Sequence, residues 1–233
     1  MALPKIDLPL YQCELPSTGK KIKYRPFTVK EEKILLTAQE SKETSQIILA
    51  IKQILNNCIT DTDVSQFSVF DIEYMLIQLR SKSVDNSAEF EITDPETEEK
   101  VKLQINLGDV KISRKEEHTN KIKISDDYTL FLRYPTIDQF ESLLDKEEQS
   151  AEDSYNVMMS CFDRLASKDD VYKFKDFPKK EVDEFVESLH SDTIKKIKTF
   201  FDTMPKVRHE IPYKNSKGEQ KTFVLEGTQT FFI

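Results

Sequence analysis

His209 and Glu210 open the stretch HEIPY, the first two residues of a zinc-protease helix. Pro212 and Tyr213 follow, so the second histidine is missing and the pattern fails. STGKK around Gly19 has the end of a phosphate-binding loop, but its first glycine would fall at Glu14 and no Ser or Thr follows the lysine. A turn before a strand is the simpler reading. DTDVSQF begins as a calcium loop does, yet Gln66 stands where glycine is needed and Ile72 where the bidentate glutamate belongs. Asp61 and Asp63 therefore read as solvated caps. Cys161 and His190 could form a thiol–imidazole pair only if the fold joined them. Cys161 lies beside an apolar helical stripe, the position of a small buried hydrophobe. With three histidines and four glycines the chain is poor in the parts of active sites. No catalytic, metal-binding or cofactor-binding residue is expected.

Composition narrows the remaining classes. A third of the residues are charged (33%) and the mean hydropathy is −0.54, which gives a heavily solvated surface. No apolar run reaches the roughly 20 residues of a membrane helix. The start, MALPKIDLPLYQCELP, is broken by prolines and acidic residues and does not read as a signal peptide, so a cytosolic location is expected. Cys13, Cys58 and Cys161 lie far apart and form no CxxC pair, which fits a reducing compartment. A net charge of −8 disfavours nonspecific nucleic-acid binding, leaving proteins as the expected partners.

The elements that must position any functional surface can be read in order. Lys21, Lys23 and Arg25 alternate with Ile22 and Tyr24, as in a half-buried strand that Pro26 ends. Thr28 and Glu31 then form a capping box for a first helix. Ile47, Ile51, Ile54, Leu55 and Cys58 predict a second helix over about 44–59. Ser68 and Asp71 open a third, with Ile72, Met75, Leu76 and Leu79 on one side. Strict alternation of Phe90 and Ile92, then Val101, Leu103 and Ile105, around Asp94 and Pro95 predicts a β-hairpin. A polar stretch over 113–120 follows and suggests a boundary there.

The second half repeats this order. YTLFLRYPTIDQFESLL is again a strand, Arg133, a proline and a capping box, Thr136 with Gln139, about 108 residues after Thr28. A helix with Tyr155, Met158, Phe162 and Leu165 on one face is expected next. An insertion around KDDVYKFKDFPKKE precedes two more helices, one with Pro178 near its first turn, the other marked by Ile194, Ile197, Phe200, Phe201 and Met204. A hairpin turning at Asn215–Gly218 closes the chain, and Gly108 and Gly227 end the two return strands alike. The reading is an α+β protein of two similar halves, 1–112 and 113–233, each a short strand, several helices and a hairpin. A tandem duplication and a chance likeness of short α+β elements both fit this pattern.

LPKIDLPLYQCELPSTGKKIKYRPFTVKEEKILLTAQES, with FDIEYMLIQLRSKSV and the closing VLEGTQTFF, resembles the T4-type bacteriophage baseplate protein family, the hub assembly proteins of contractile-tailed phages. STGKKIKYRPFTVKEEK is the most specific part, and the likeness spans nearly the whole chain. The resemblance implies a non-enzymatic factor that builds the hub at the tail tip, as an assembly chaperone or as a structural subunit kept in the virion. Its implied partners are other hub or tail proteins, the tail-length protein included, met in the host cytoplasm or in the finished baseplate. It also implies relatives with cysteine pairs in the hairpin loops, like zinc ribbons. Here the loops read TDPETEEK and KNSKGEQK, without cysteine, so hydrogen bonding and packing must hold the turns.

Function would then rest on surface. Lys20, Lys21, Lys23 and Arg25 form a basic patch, with Tyr24 on the alternate face and Phe27 at the corner, either as a solvated strand face or as the contact for an acidic partner. Arg25 and Arg133 hold equivalent places, where a guanidinium could clamp a carboxylate of the neighbouring helix. Near the end, Phe223 is expected to dock on the fold, whereas Phe231 and Phe232 either dock or await a partner. The candidate protein-binding residues are thus Lys21, Lys23, Tyr24, Arg25, Phe27, Phe231 and Phe232.

Overall fold

The computed structural model describes residues 6–41, 43–84, 86–139 and 150–226. The protein is α+β, and its described residues form two compact units. One runs to Ser113 and resumes at Lys206, and the other is Arg114–Pro205.

The first unit begins with a hairpin of β1 (Tyr11–Glu14) and β2 (Lys21–Tyr24). The turn between them closes when Thr18 and Gly19 donate to the Leu15 carbonyl, and Gly19 takes φ +70°, which only glycine adopts freely. Alternation works as the sequence dictates: Ile22 and Tyr24 are buried, Lys21 and Lys23 exposed. Three helices follow, α1 (Val29–Ser41), α2 (Thr44–Cys58) and α3 (Val69–Ser83). The α3 capping box forms in full: Ser68 accepts from the Asp71 amide, and Asp71 accepts from the Ser68 amide. Asp71 also accepts the Ser17 amide at 2.9 Å, fixing the β1–β2 turn to the start of α3. Asp63 caps a short 3-10 turn over Val64–Gln66, as its cap reading requires.

Strands β3 (Ser87–Thr93) and β4 (Lys100–Asn106) form the predicted hairpin, with Phe90 opposite Leu103 and Ile92 opposite Val101. Strand β5 (Lys111–Ser113) then leads the chain out of this unit. The chain returns as β10 (Lys206–Lys214) and β11 (Gln220–Glu226), and β10 pairs with both β11 and β5. Val207, Ile211 and Leu225 share one core with Ile77, Phe90, Leu103 and Ile105.

The boundary expected near 113 therefore marks where the chain leaves the first unit, but the final hairpin does not stay with the segment before it. The reason is the unfilled side of the first core: β5 offers a free edge, and the alternating apolar side chains of β10 and β11 cover the β3–β4 face. Truncating a core residue such as Leu103 to Ala would cost about 2–5 kcal/mol.

The second unit is a four-stranded antiparallel sheet ordered β6-β7-β8-β9, with β6 (Lys121–Lys123), β7 (Thr129–Leu132), β8 (Phe162–Ala166) and β9 (Val171–Lys173). Helices α4 (Ala151–Ser160), α5 (Lys179–Glu187) and α6 (Ser191–Asp202) accompany it. Its core holds Ile122, Leu130, Leu132, Phe162, Val186, Ile197 and Phe200.

One expectation is corrected here. The helix expected through Leu165 stops at Ser160, and Phe162 and Leu165 belong to β8. Their spacing fits a helical face, but β7 offers a pairing edge, and tertiary pairing overrides the local period. The stretch read as an insertion forms β9 and a 3-10 turn over Phe174–Asp176. The stretch after Gln139 lies outside the described residues, though the Thr136 amide donates to Gln139 Oε1 at 2.8 Å, the bond a capping box requires.

Candidate functional site

Both halves contain the same corner. In the first, the Arg25 amide donates to the Cys58 carbonyl at 3.0 Å. In the second, the Arg133 amide donates to the Cys161 carbonyl at 2.8 Å. The chain just after each helix pairs back at that point, Ile59 through an isolated bridge to Tyr24 and Phe162 with Leu132. The side chains then diverge. Arg25 reaches Glu31 with two nitrogens, at 3.0 and 3.4 Å, and Thr28 donates to the same carboxylate through its amide and its hydroxyl. Glu31 is only 2% exposed. Burial alone would raise its carboxyl, but Arg25 and Thr28 hold it down at about 2. In the second corner glutamine stands for that glutamate, and Arg133 Nε donates instead to the Ser160 carbonyl at 2.9 Å.

The two hairpin tips of the first unit also match each other. Asp94 and Asn215 are buried, and each organises its turn by accepting backbone amides: Glu96 and Thr97 at Asp94, Lys217 and Glu219 at Asn215. The left-handed position is Glu98 (φ +57°) in one and Gly218 (φ +79°) in the other. Tyr213 donates its hydroxyl to Asp94 at 2.7 Å, and Lys221 pairs with Glu96 at 2.7 Å, so the tips are joined. The Tyr213 hydroxyl is foremost in holding the Asp94 carboxyl at about 2. These loops do not suit a ribbon-type metal site, since the carboxylate at the first turn is already committed to four donors. Among the described residues, no group of three His, Cys, Asp or Glu side chains is placed to hold a metal ion.

Each unit carries an open apolar cleft. In the first it measures about 340 Å³ and runs between α1 and α3, past Phe27, Leu35, Leu36, Leu76 and Val84. In the second it measures about 400 Å³ and lies between the sheet and α5, lined by Tyr128, Leu165, Tyr172, Phe174, Phe177 and Phe185.

The model of the family described as T4 bacteriophage base plate protein matches residues 8–233. The chain belongs to that family. No curated protein and no solved structure matches it. Membership ties the protein to the phage baseplate, and among its described residues no helix is long and apolar enough to cross a membrane.

Of the residues singled out in the baseplate protein's sequence, Lys21 and Lys23 are exposed, with Lys21 4.0 Å from Glu14. Tyr24 is 1% exposed, and burial first of all pushes its phenol up to about 12, so it serves the core. Arg25 is committed to Glu31, the internal clamp its position suggested. Phe27 is half-buried and lines the first cleft, its amide donating to Ser83 Oγ at 2.9 Å. Phe223 packs against Phe90, ring centres 5.7 Å apart, whereas Phe231 and Phe232 lie outside the described residues. Cys161 is fully buried, and that burial pushes its thiol up to about 11. His190 is exposed and caps α6. Sequence reasoning missed the aromatic cleft. Its one signal was the density of aromatic residues in YKFKDF, read only as an insertion.

Proposed function

We propose that the protein is a non-enzymatic assembly factor of the baseplate hub, binding other hub or tail proteins, the tail-length protein among them, and holding them competent for assembly. Family membership over nearly the whole chain supports the baseplate half of this reading. The observation that carries the binding half is the open apolar cleft in each unit, lined by side chains suited to covering apolar segments of another polypeptide. The step is binding and release, with no bond made or broken.

Family membership equally favours a subunit that stays in the virion. Mass spectrometry of purified particles separates the two. A chaperone is present in infected cells and absent from particles, whereas a structural subunit is found in particles at fixed stoichiometry. Affinity capture from infected cells should recover hub or tail proteins, and capture of none of them overturns both readings. Replacing Cys161, His209 and Glu210 together by Ala should leave assembly intact wherever the variant folds. Loss of assembly in a variant of unchanged stability would instead mark an enzyme.

A further inference from the structure

The cleft of the second unit differs from an ordinary apolar groove in the charge at its mouth. Strands β6 and β7 are joined by residues 124–128, and β8 and β9 by residues 167–170. Because Thr129 faces Ala166 across β7 and β8, both turns stand at the same end of the sheet. Together those turns carry Asp126, Asp127, Asp169 and Asp170 against one lysine, Lys168. Lys123 engages Asp126 at 2.7 Å. Asp170 is tied to the cleft wall, since the Tyr172 hydroxyl donates to its carboxylate at 3.4 Å, and Glu181 of α5 lines the cleft as well. The Asp170 charge is the first cause of a raised Tyr172 phenol pKa.

Inside that mouth the rings of Tyr128, Tyr172 and Phe177 remain 41%, 39% and 40% exposed. An acidic polypeptide or a nucleic acid would bring like charge to this rim. An uncharged apolar segment would desolvate the aspartates without compensation. A Lys or Arg satisfies both features: its aliphatic stem lies on the rings, its cation faces their π-surfaces, and its head reaches the carboxylates. We propose that this cleft docks an apolar segment of a partner protein that carries Lys or Arg beside its apolar side chains. The proposal rests on the reading of the protein as a holder of other polypeptides and names what this site would hold.

The chain contains no tryptophan, so a tryptophan-bearing peptide can be followed alone by its emission. The probes are the capped hexapeptide Lys-Trp-Leu-Lys-Phe-Lys and its counterpart with Glu at the three Lys positions, titrated with the full chain. The basic peptide should saturate with an affinity at least about tenfold above the acidic one, and added salt should narrow the gap. Tyr128→Ser with Phe177→Ser should weaken it about tenfold. Asp127→Lys with Asp169→Lys, both at exposed turn positions, should reverse the preference. Equal binding of both peptides, no saturable binding, or charge variants that bind as the parent overturns the proposal. If those variants still capture hub or tail proteins from infected cells, the cleft assignment alone fails. If the unaltered chain captures none, the functional reading beneath it fails.

Discussion

The Tyr213 hydroxyl donates to Asp94 Oδ2 at 2.7 Å, joining two hairpin tips that lie 119 residues apart in the chain. Tyr213→Phe deletes that donor and little else. The Asp94 carboxyl, normally near 3.8, is held at about 2 with this hydroxyl foremost. A depressed carboxyl contributes stability above its ordinary value, and that stability is lost as pH falls toward the folded one. The variant should lower the Tm at pH 7 by roughly a few degrees and shift acid unfolding to higher pH. An unchanged acid midpoint in circular dichroism would show that the tips are held by packing instead.

Glu98 occupies a left-handed position that Gly218 fills in the sister hairpin. An L side chain there costs roughly 1 kcal/mol. Glu98→Gly should therefore stabilise the protein by about 0.5–1 kcal/mol in urea unfolding, although glycine destabilises almost anywhere else.

Glu31 and Arg25 predict an asymmetric pair of substitutions. Arg25→Ala leaves a buried carboxylate without its cation and should cost about 3 kcal/mol. Glu31→Gln copies the residue found at the second corner and should cost about 1–2 kcal/mol. Because this carboxyl is lowered from 4.5 to about 2, the parent should lose stability as pH falls through that interval, and the Gln variant should lose less.

His118 clusters with the rings of Tyr134 and Phe200, each pair of centres within 5.7 Å, with Nδ1 2.9 Å from Thr203 Oγ1 and Nε2 2.9 Å from the Tyr134 hydroxyl. Thr203 spends its proton on the Thr199 carbonyl at 2.6 Å, so Nδ1 is the donor and Nε2 accepts. Burial, then the Arg114 charge, lowers its pKa. Neutral His118 thus favours the fold above the ordinary histidine range, and protonation removes that contribution as pH falls below it. The Tm should drop between pH 7.5 and 5.5, and His118→Phe should flatten the dependence.

All three thiols are pushed up to about 11 by burial. At pH 8 a disulfide reagent should label the native chain slowly, and three equivalents should react at once after denaturation.

Local signals in the sequence proved sufficient wherever the cause was local. The box at Ser68 and Asp71, the alternation around Asp94, and the turn at Asn215 each encode their own geometry within a few residues. Phe162 and Leu165 were misread because their spacing satisfies two periods, and the strand that decides between them, β7, is some thirty residues away. The pairing of β5 with β10 had no local trace either, since a three-residue strand carries almost no pattern. The aromatic cleft was illegible for the same reason: its walls come from two hairpins and a helix, none of which looks unusual alone.

The route of the chain through the first unit has a consequence for how the protein is made. Its core waits for strands that follow the whole second unit in the chain, so everything from Arg114 to Pro205 is already synthesised while Phe90, Leu103 and Ile105 still lack their cover. The later unit is free to fold first, and translation halted before β11 would leave a sticky, half-clad hairpin that cellular quality control should recognise and remove.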